Sequence, residues 1–481
     1  MTAGTGTDAP GTAGPEAAGP EAAATAATGP VTDRTSDDAE AARTALVEAA
    51  LARLSTARLT ELIAGVVDVP SPTGDEAPLA EHVAEVLRLA GVPARTQPLD
   101  DRQANAWGRL RGTGTGPDLL LYAPLDTVTS GRADEDVPWS APRLRADLRP
   151  VAHVADDLVR GLGASNPKGH AGCVLAAAEA VAGAVADTGR ALTGDLLVGF
   201  GAGGMPTNAR PGVGNPRRNT GQGVGCSFLL EQGVWPDCAV IAKPGWTVSW
   251  EEVGLTWFEV LVRGTHTYVG SRHRLPYVNA VDLAGQLVAG LERWFPRYAE
   301  VHTDGLVAPQ GVVAWIAGGA ARTASFTPAE CRFAVDLRLS PRTTPAQARR
   351  EFTAALADVA ERLGGVDYEV EQVLAIPGER TDPASWVCRS AVAAWEAVEG
   401  RPHEPVTRMS GATDANILRN RGIPTVRLGM PKVTEDRAGT EVDFALGMNL
   451  VDVREALRLT EALVRIAVDT LTRTRAEVGL A

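Results

Sequence analysis

The chain has 481 residues, more than one hydrophobic core normally spans, so two domains and an extra segment are expected. A net charge of −13 excludes a broad cationic face for nucleic acid. The apolar share of 44% and charged share of 22% fit a globular chain and exclude disorder throughout.

Residues 1–44 are Ala, Gly, Thr and Pro with scattered acids. They hold almost no large apolar side chain and are expected to be a disordered tail. Met1 leads into small residues without an apolar segment, so no secretory leader is expected. From Leu46, apolar residues recur at helical spacing as far as Val66. Pro70 to Gly74 reads as a turn, Pro78 to Ala90 as an amphipathic helix and Leu119 to Tyr122 as a buried strand. Lys168 to Ala186 is Ala-rich and helical. Its apolar part, Cys173 to Ala186, contains Glu179 and is too short for a bilayer. Asp195 to Phe200 and Cys238 to Ala242 are strands. Alternating strands and helices predict an α/β fold, a parallel-rich sheet with helices on both faces, over 45–254 and 374–481.

The middle has a different order. Thr256 to Arg263, Arg332 to Leu339 and Tyr368 to Val373 alternate as half-buried strands do, and Val281 to Phe295 and Pro345 to Leu363 are helical. This predicts an inserted α+β domain over 255–373. The α/β pattern resumes with a helix at Ser385 to Glu399, a strand at Thr425 to Leu428 and a closing helix at Val453 to Leu471.

The five cysteines, Cys173, Cys226, Cys238, Cys331 and Cys388, are scattered without a C-x-x-C pair. They fit a reducing, cytoplasmic setting and no thiolate zinc site. Gly199 to Gly204 matches G-x-G-x-x-G, but prolines and glycines follow instead of the helix a dinucleotide needs, so a loop is the better reading. Ser165-Asn166-Pro167-Lys168 matches S-x-x-K. Such a short pattern arises often by chance, and a helix cap at Ser165 is the better reading than a nucleophile. The 203–223 loop, rich in Gly, Pro, Asn and Arg, has the length and charge to close on an anion.

Six segments, in order, carry a resemblance. They are Val67 to Glu76, Leu120 to Val128, Gly161 to Gly169, Ile241 to Gly245, Val262 to Ala280 and Ser410 to Ala415. Together they resemble the aminoacylase / acetylornithine deacetylase / succinyl-diaminopimelate desuccinylase family of di-zinc amidohydrolases. The resemblance implies a zinc-peptidase-like core with an inserted lid that dimerises in relatives.

The departures carry the functional expectation. Where that family has its first zinc-ligating His, this chain has Pro124, and the bridging Asp corresponds to Asn166. The acidic pair falls at Gly203 and Gly204, the next acid at Lys243, the late His at Arg437 ahead of Glu441, and the lid His at Tyr268. No metal ligands are therefore assigned. No cofactor is expected, zinc being admitted only if this correspondence is shifted. Asp126, Lys168, His170, Lys243 and Asp414 are the catalytic candidates, with a Lys243–Asp126 ion pair standing in for metal charge. His170 is the acid/base candidate, with a surface histidine at a helix start as the alternative. Asn166, Tyr268, Asn279, Arg338, Arg408 and Arg437 are the substrate-binding candidates. An arginine there suits a carboxylate, and Arg338 has pairing with Asp336 as its alternative.

The leading expectation is a metal-independent amidohydrolase-type enzyme acting on a small amide or amino-acid-like carboxylate. A non-catalytic pseudo-hydrolase and an ordinary di-zinc hydrolase with shifted ligands remain open. The expected partners are a small carboxylate substrate and a second copy through the inserted domain, with no nucleic acid and no membrane.

Overall fold

The computed structural model describes residues 32–207, 221–435, 442 and 447–481. Residues 1–42 and 43–481 form separate compact units. Of the first, the described part is helical and belongs to α1 (Thr32–Leu51). This corrects the expectation of disorder up to residue 44: Ala and Glu are good helix formers, and Leu46 and Ala50 further along α1 are buried.

The second unit begins with α2 (Thr56–Val67), which Ser55 caps by accepting from Arg58 N, and α3 (Ala77–Leu89). Then come β1 (Ala94–Pro98), β2 (Ala104–Leu110), β3 (Leu119–Pro124), the single turn α4 (Ala133–Asp136), β4 (His153–Ala155) and β5 (Leu158–Arg160). α5 (Lys168–Thr188), β6 (Leu196–Gly201), α6 (Val224–Glu231) and β7 (Cys238–Ala242) follow. α5 is long and apolar enough to cross a membrane, yet most of it is buried in the core.

β8 (Glu251–Glu252) leads into β9 (Gly254–Arg263), β10 (Thr267–Tyr268), α7 (Ala280–His302), β11 (Gly311–Gly318), β12 (Phe326–Thr327) and β13 (Glu330–Leu339). α8 (Pro345–Arg362), β14 (Tyr368–Ile376) and β15 (Glu379–Arg380) complete this stretch. The chain ends with α9 (Trp386–Glu399), α10 (Ala415–Arg419), β16 (Thr425–Leu428), β17 (Leu450–Asp452) and α11 (Val453–Leu471).

The main sheet runs β1-β2-β6-β3-β7-β16. β6, β3, β7 and β16 are parallel, and β1 and β2 form an antiparallel edge. β3, β6, β7 and β16 are buried along their whole length, as central strands covered on both faces must be. One apolar cluster, with α2, α3, α5, α9 and α11, fills one face, and a smaller one, with α6 and α10, fills the other.

The second sheet, β11-β13-β9-β14, is antiparallel. Its core lies on one face against α7 and α8, where Phe258 stacks on Phe352 at 4.2 Å between ring centroids. The hydrophobic alternation of β9 and β13 follows from this one-sided burial. The paired strands β8 and β15 carry the chain out to this sheet and back.

Candidate functional site

In a parallel sheet, ligands collect beyond the carboxyl ends of the strands. Here those ends bring Asp126 from β3, Gly203 to Met205 from β6 and Lys243 from β7 close together. Asp126 is fully buried. Oδ1 accepts from Gly204 N at 2.6 Å, and Oδ2 accepts from Thr73 Oγ1 at 2.6 Å and Met205 N at 3.0 Å. Burial pushes its carboxyl up, against those three donors and the charge of Lys243.

Lys243 is buried. Its Nζ donates to Asn166 Oδ1 at 3.2 Å. Burial lowers its ammonium, and the charges of Asp414, Asp126 and Glu252 oppose that shift. The direct Lys243–Asp126 ion pair expected from the sequence is replaced: among the described residues the contact partner of Lys243 is Asn166, and Asp126 acts on it through its field. Three N–H and O–H donors already satisfy Asp126, so it does not draw the ammonium into contact.

Asp414 is buried just before α10, and its Oδ2 accepts from Tyr122 Oη at 2.7 Å. Burial raises it to about 7, with Lys243 and the Tyr122 hydrogen bond pulling down.

Two catalytic candidates face elsewhere. Lys168 is fully buried, but its Nζ donates to Val69 O at 2.6 Å and Val67 O at 3.4 Å, tying the start of α5 to the end of α2. Burial brings it down to about 7. His170 is corrected more sharply. Nε2 accepts from Met430 N at 3.3 Å, so Nδ1 carries the proton and donates to Ser165 O at 2.7 Å. Burial holds its imidazole down to about 3, so it is a neutral strut between two loops rather than an acid/base. It is not the surface histidine of the alternative either.

Of the substrate-binding candidates, Asn166 is in the cluster. Tyr268 is exposed and packs against Phe326, with ring centroids 5.3 Å apart. Asn279 caps α7, accepting from Val281 N at 3.1 Å. Arg338 pairs with Asp336 at 2.8 Å, the alternative reading. Arg408 is exposed on the segment leading to Asp414, with φ at +61°. Arg437, Glu441 and the basic part of the 203–223 loop lie outside the described residues.

Sequence reasoning missed two carboxylates. Glu76, buried at the start of α3, accepts through Oε1 from Gly203 N at 2.9 Å, Gly74 N at 3.0 Å and Gln103 Nε2 at 3.2 Å. Burial, then the charge of Asp126, pushes it up to about 8. Glu252 of β8 accepts from Thr413 Oγ1 at 2.7 Å. The signal for Glu76 was its place three residues after Thr73. For Glu252 it was the acidic doublet before a strand.

A di-zinc centre does not fit these donors. Each zinc needs three or four N, S or carboxylate ligands. Pro124 has no ligand atom, Asn166 is engaged by an ammonium, and Gly203 and Gly204 offer no side chain. A Cβ at Gly204 would collide with Pro124. No group of three His, Cys, Asp or Glu placed to hold a metal occurs among the described residues.

No family model matches the chain. Solved structures do. A dipeptidase from Saccharomyces cerevisiae superposes with a TM-score of 0.63 at 11% identity, covering 89% of this chain and 98% of that one. Human carnosine dipeptidase 1 gives 0.62 at 14% identity, covering 89% and 99%. A metallo-carboxypeptidase of the M20 family from Sulfolobus solfataricus gives 0.58 at 14% identity, covering 86% and 98%. At such identities the likeness is one of fold, and the fold of this chain is that of the M20 metallopeptidases.

Proposed function

We propose that the protein hydrolyses a C–N bond in a small amide or dipeptide-like substrate bearing a carboxylate, using side chains in place of a di-metal centre. The observation that carries this reading is the buried Lys243 lying in the field of Asp126 and Asp414, beside the loop whose acids are replaced by Gly203 and Gly204. Burial holds the amine down and the carboxyl up to about 7, shifts toward each other that favour proton transfer between such groups. In this reading ionised Asp414 takes a proton from water as it attacks the carbonyl carbon. Lys243 faces the oxyanion, and the departing nitrogen receives the proton from Asp414 as the C–N bond breaks. Asp126 is committed to three donors and sets the field around Lys243. Arg408, without an ion pair among the described residues, is the group offered to the substrate carboxylate.

That same commitment of Asp126, and of Glu76 Oε1, favours one other reading. A site whose acids are satisfied by its own backbone can bind without catalysing. The test is hydrolysis of a panel of dipeptides and N-acyl amino acids, with metal content measured by mass spectrometry and a chelator present throughout. Turnover that survives the chelator in metal-free protein supports the proposal. Turnover only with stoichiometric zinc overturns it, and binding without turnover selects the second reading.

A further inference from the structure

We propose that Glu252 is a positioning residue that holds Asp414 in the site and ties it to the second sheet; this rests on the reading that gives Asp414 a catalytic role. Glu252 and Glu251 are consecutive on β8, so their side chains face opposite ways. Both are buried. Glu251 faces the second sheet's stretch of chain: Oε1 pairs with Arg342 at 2.6 Å, and Oε2 accepts from Leu306 N at 2.9 Å. Glu252 faces the main sheet. Oε1 pairs with Arg427 at 3.1 Å, and Oε2 accepts from Thr413 Oγ1 at 2.7 Å and Thr413 N at 3.2 Å.

Thr413 passes the constraint on. Its Oγ1 also accepts from Ala415 N at 3.2 Å, which fixes the turn that contains Asp414. Two residues further, Asn416 donates to Val253 O at 2.8 Å and accepts from Glu379 N at 3.1 Å, gripping both connecting strands. Met409, just before this turn, is bonded to Leu306 and Ala308 through its backbone, each at 2.9 Å. Asp414 is thus held between two residues that grip the β8–β15 ribbon, and the segment before it is bonded to the chain entering the second sheet.

A residue that only filled space would leave the titration of Asp414 alone; Glu252 does not have that freedom. Asp414 is faced by Lys243 beyond β7, Tyr122 of β3, Asp126 beyond β3, Cys226 of α6 and Glu252 of β8. Lys243 and the Tyr122 hydrogen bond favour its charged form; Asp126 and Glu252 disfavour it. Removing the charge in Glu252→Gln lowers the Asp414 midpoint. Thr413→Val keeps every charge but frees the turn. It weakens the Tyr122–Asp414 hydrogen bond and raises the midpoint.

The experiment is a carboxyl-carbon NMR titration of the full chain labelled at aspartate, with Asp414→Asn giving the assignment and thermal melting confirming the fold. An upward shift in Thr413→Val establishes the positioning role, and a downward shift in Glu252→Gln shows that the charge of Glu252 acts on Asp414. An unmoved midpoint in either folded variant overturns it. If Glu252→Gln fails to fold, Thr413→Val decides alone. Because no substrate is involved, a wild-type protein without hydrolytic activity would sink the proposed function and leave this result standing.

Discussion

Two buried lysines, one at the start of α5 and one at the end of β7, have opposite surroundings. Lys168 faces the backbone carbonyls of Val67 and Val69, while Lys243 faces Asn166 in the field of three carboxylates. Burial pushes both ammonium groups down. Lys168 has the charge of Asp68 to oppose this, whereas Lys243 has Asp414, Asp126 and Glu252. Desolvation is thus common to a structural and a candidate catalytic lysine, and the titratable partners separate them.

The largest expected effect separates the two directly. Lys243→Met should lower kcat/KM on any substrate found by on the order of 10²-fold or more, the usual worth of a proton-transfer or oxyanion group. Lys168→Met should keep activity within a few-fold while lowering the melting temperature. Equal losses of activity in steady-state assays of the two would erase the distinction.

His170 belongs with Lys168 in this comparison. Replacing it by Ala strands Met430 N and Ser165 O in the core, which should cost about 2–4 kcal/mol in urea unfolding. A destabilisation well below that range would return it to the list of catalytic candidates.

Both Lys168 and Asp414 lie at about 7, so a pH–rate profile sharpens the contrast. The rate should rise as Asp414 ionises through about 7 and fall at higher pH as Lys243 loses its proton. Lys168→Met should leave the rising limb where it is, and Asp414→Glu should move it.

The remaining effect is a pH dependence of stability. The folded-state value of Lys168 lies below its ordinary one of 10.5, so the unfolded chain binds more protons between about 7 and 10.5. Its contribution is present above 10.5 and is lost as pH falls through about 7, at most ~1.4 kcal/mol per pH unit. Lys168→Met should flatten that slope, read from urea midpoints at about pH 7.5 and 9.5.

Where one face is strongly apolar, the elements were legible. The closing helix has the bounds its periodicity predicts, and β7 and β16 stand where short apolar runs placed them. β1 and β11 escaped notice because they bury so little: β1 has no buried residue, and β11 leaves Val312, Trp315 and Ile316 exposed. The apolar series from Leu46 to Val66 ran through the break at Ala52 to Ser55, because periodicity does not register a capping serine.

The sequence by itself determined the α/β class, the places of the strongly apolar strands and the lack of ligand atoms at Pro124, Gly203 and Gly204. These follow from residue type and local pattern. Only the tertiary structure decided which candidates converge. It brought together Asp126, Lys243, Asn166 and Asp414, from positions up to 288 residues apart along the chain. It turned Lys168 and His170 toward backbone atoms and added Glu76 and Glu252. The reason is physical: a buried polar group takes whichever partner the fold brings within hydrogen-bond reach, and that partner is set by contacts distant in sequence.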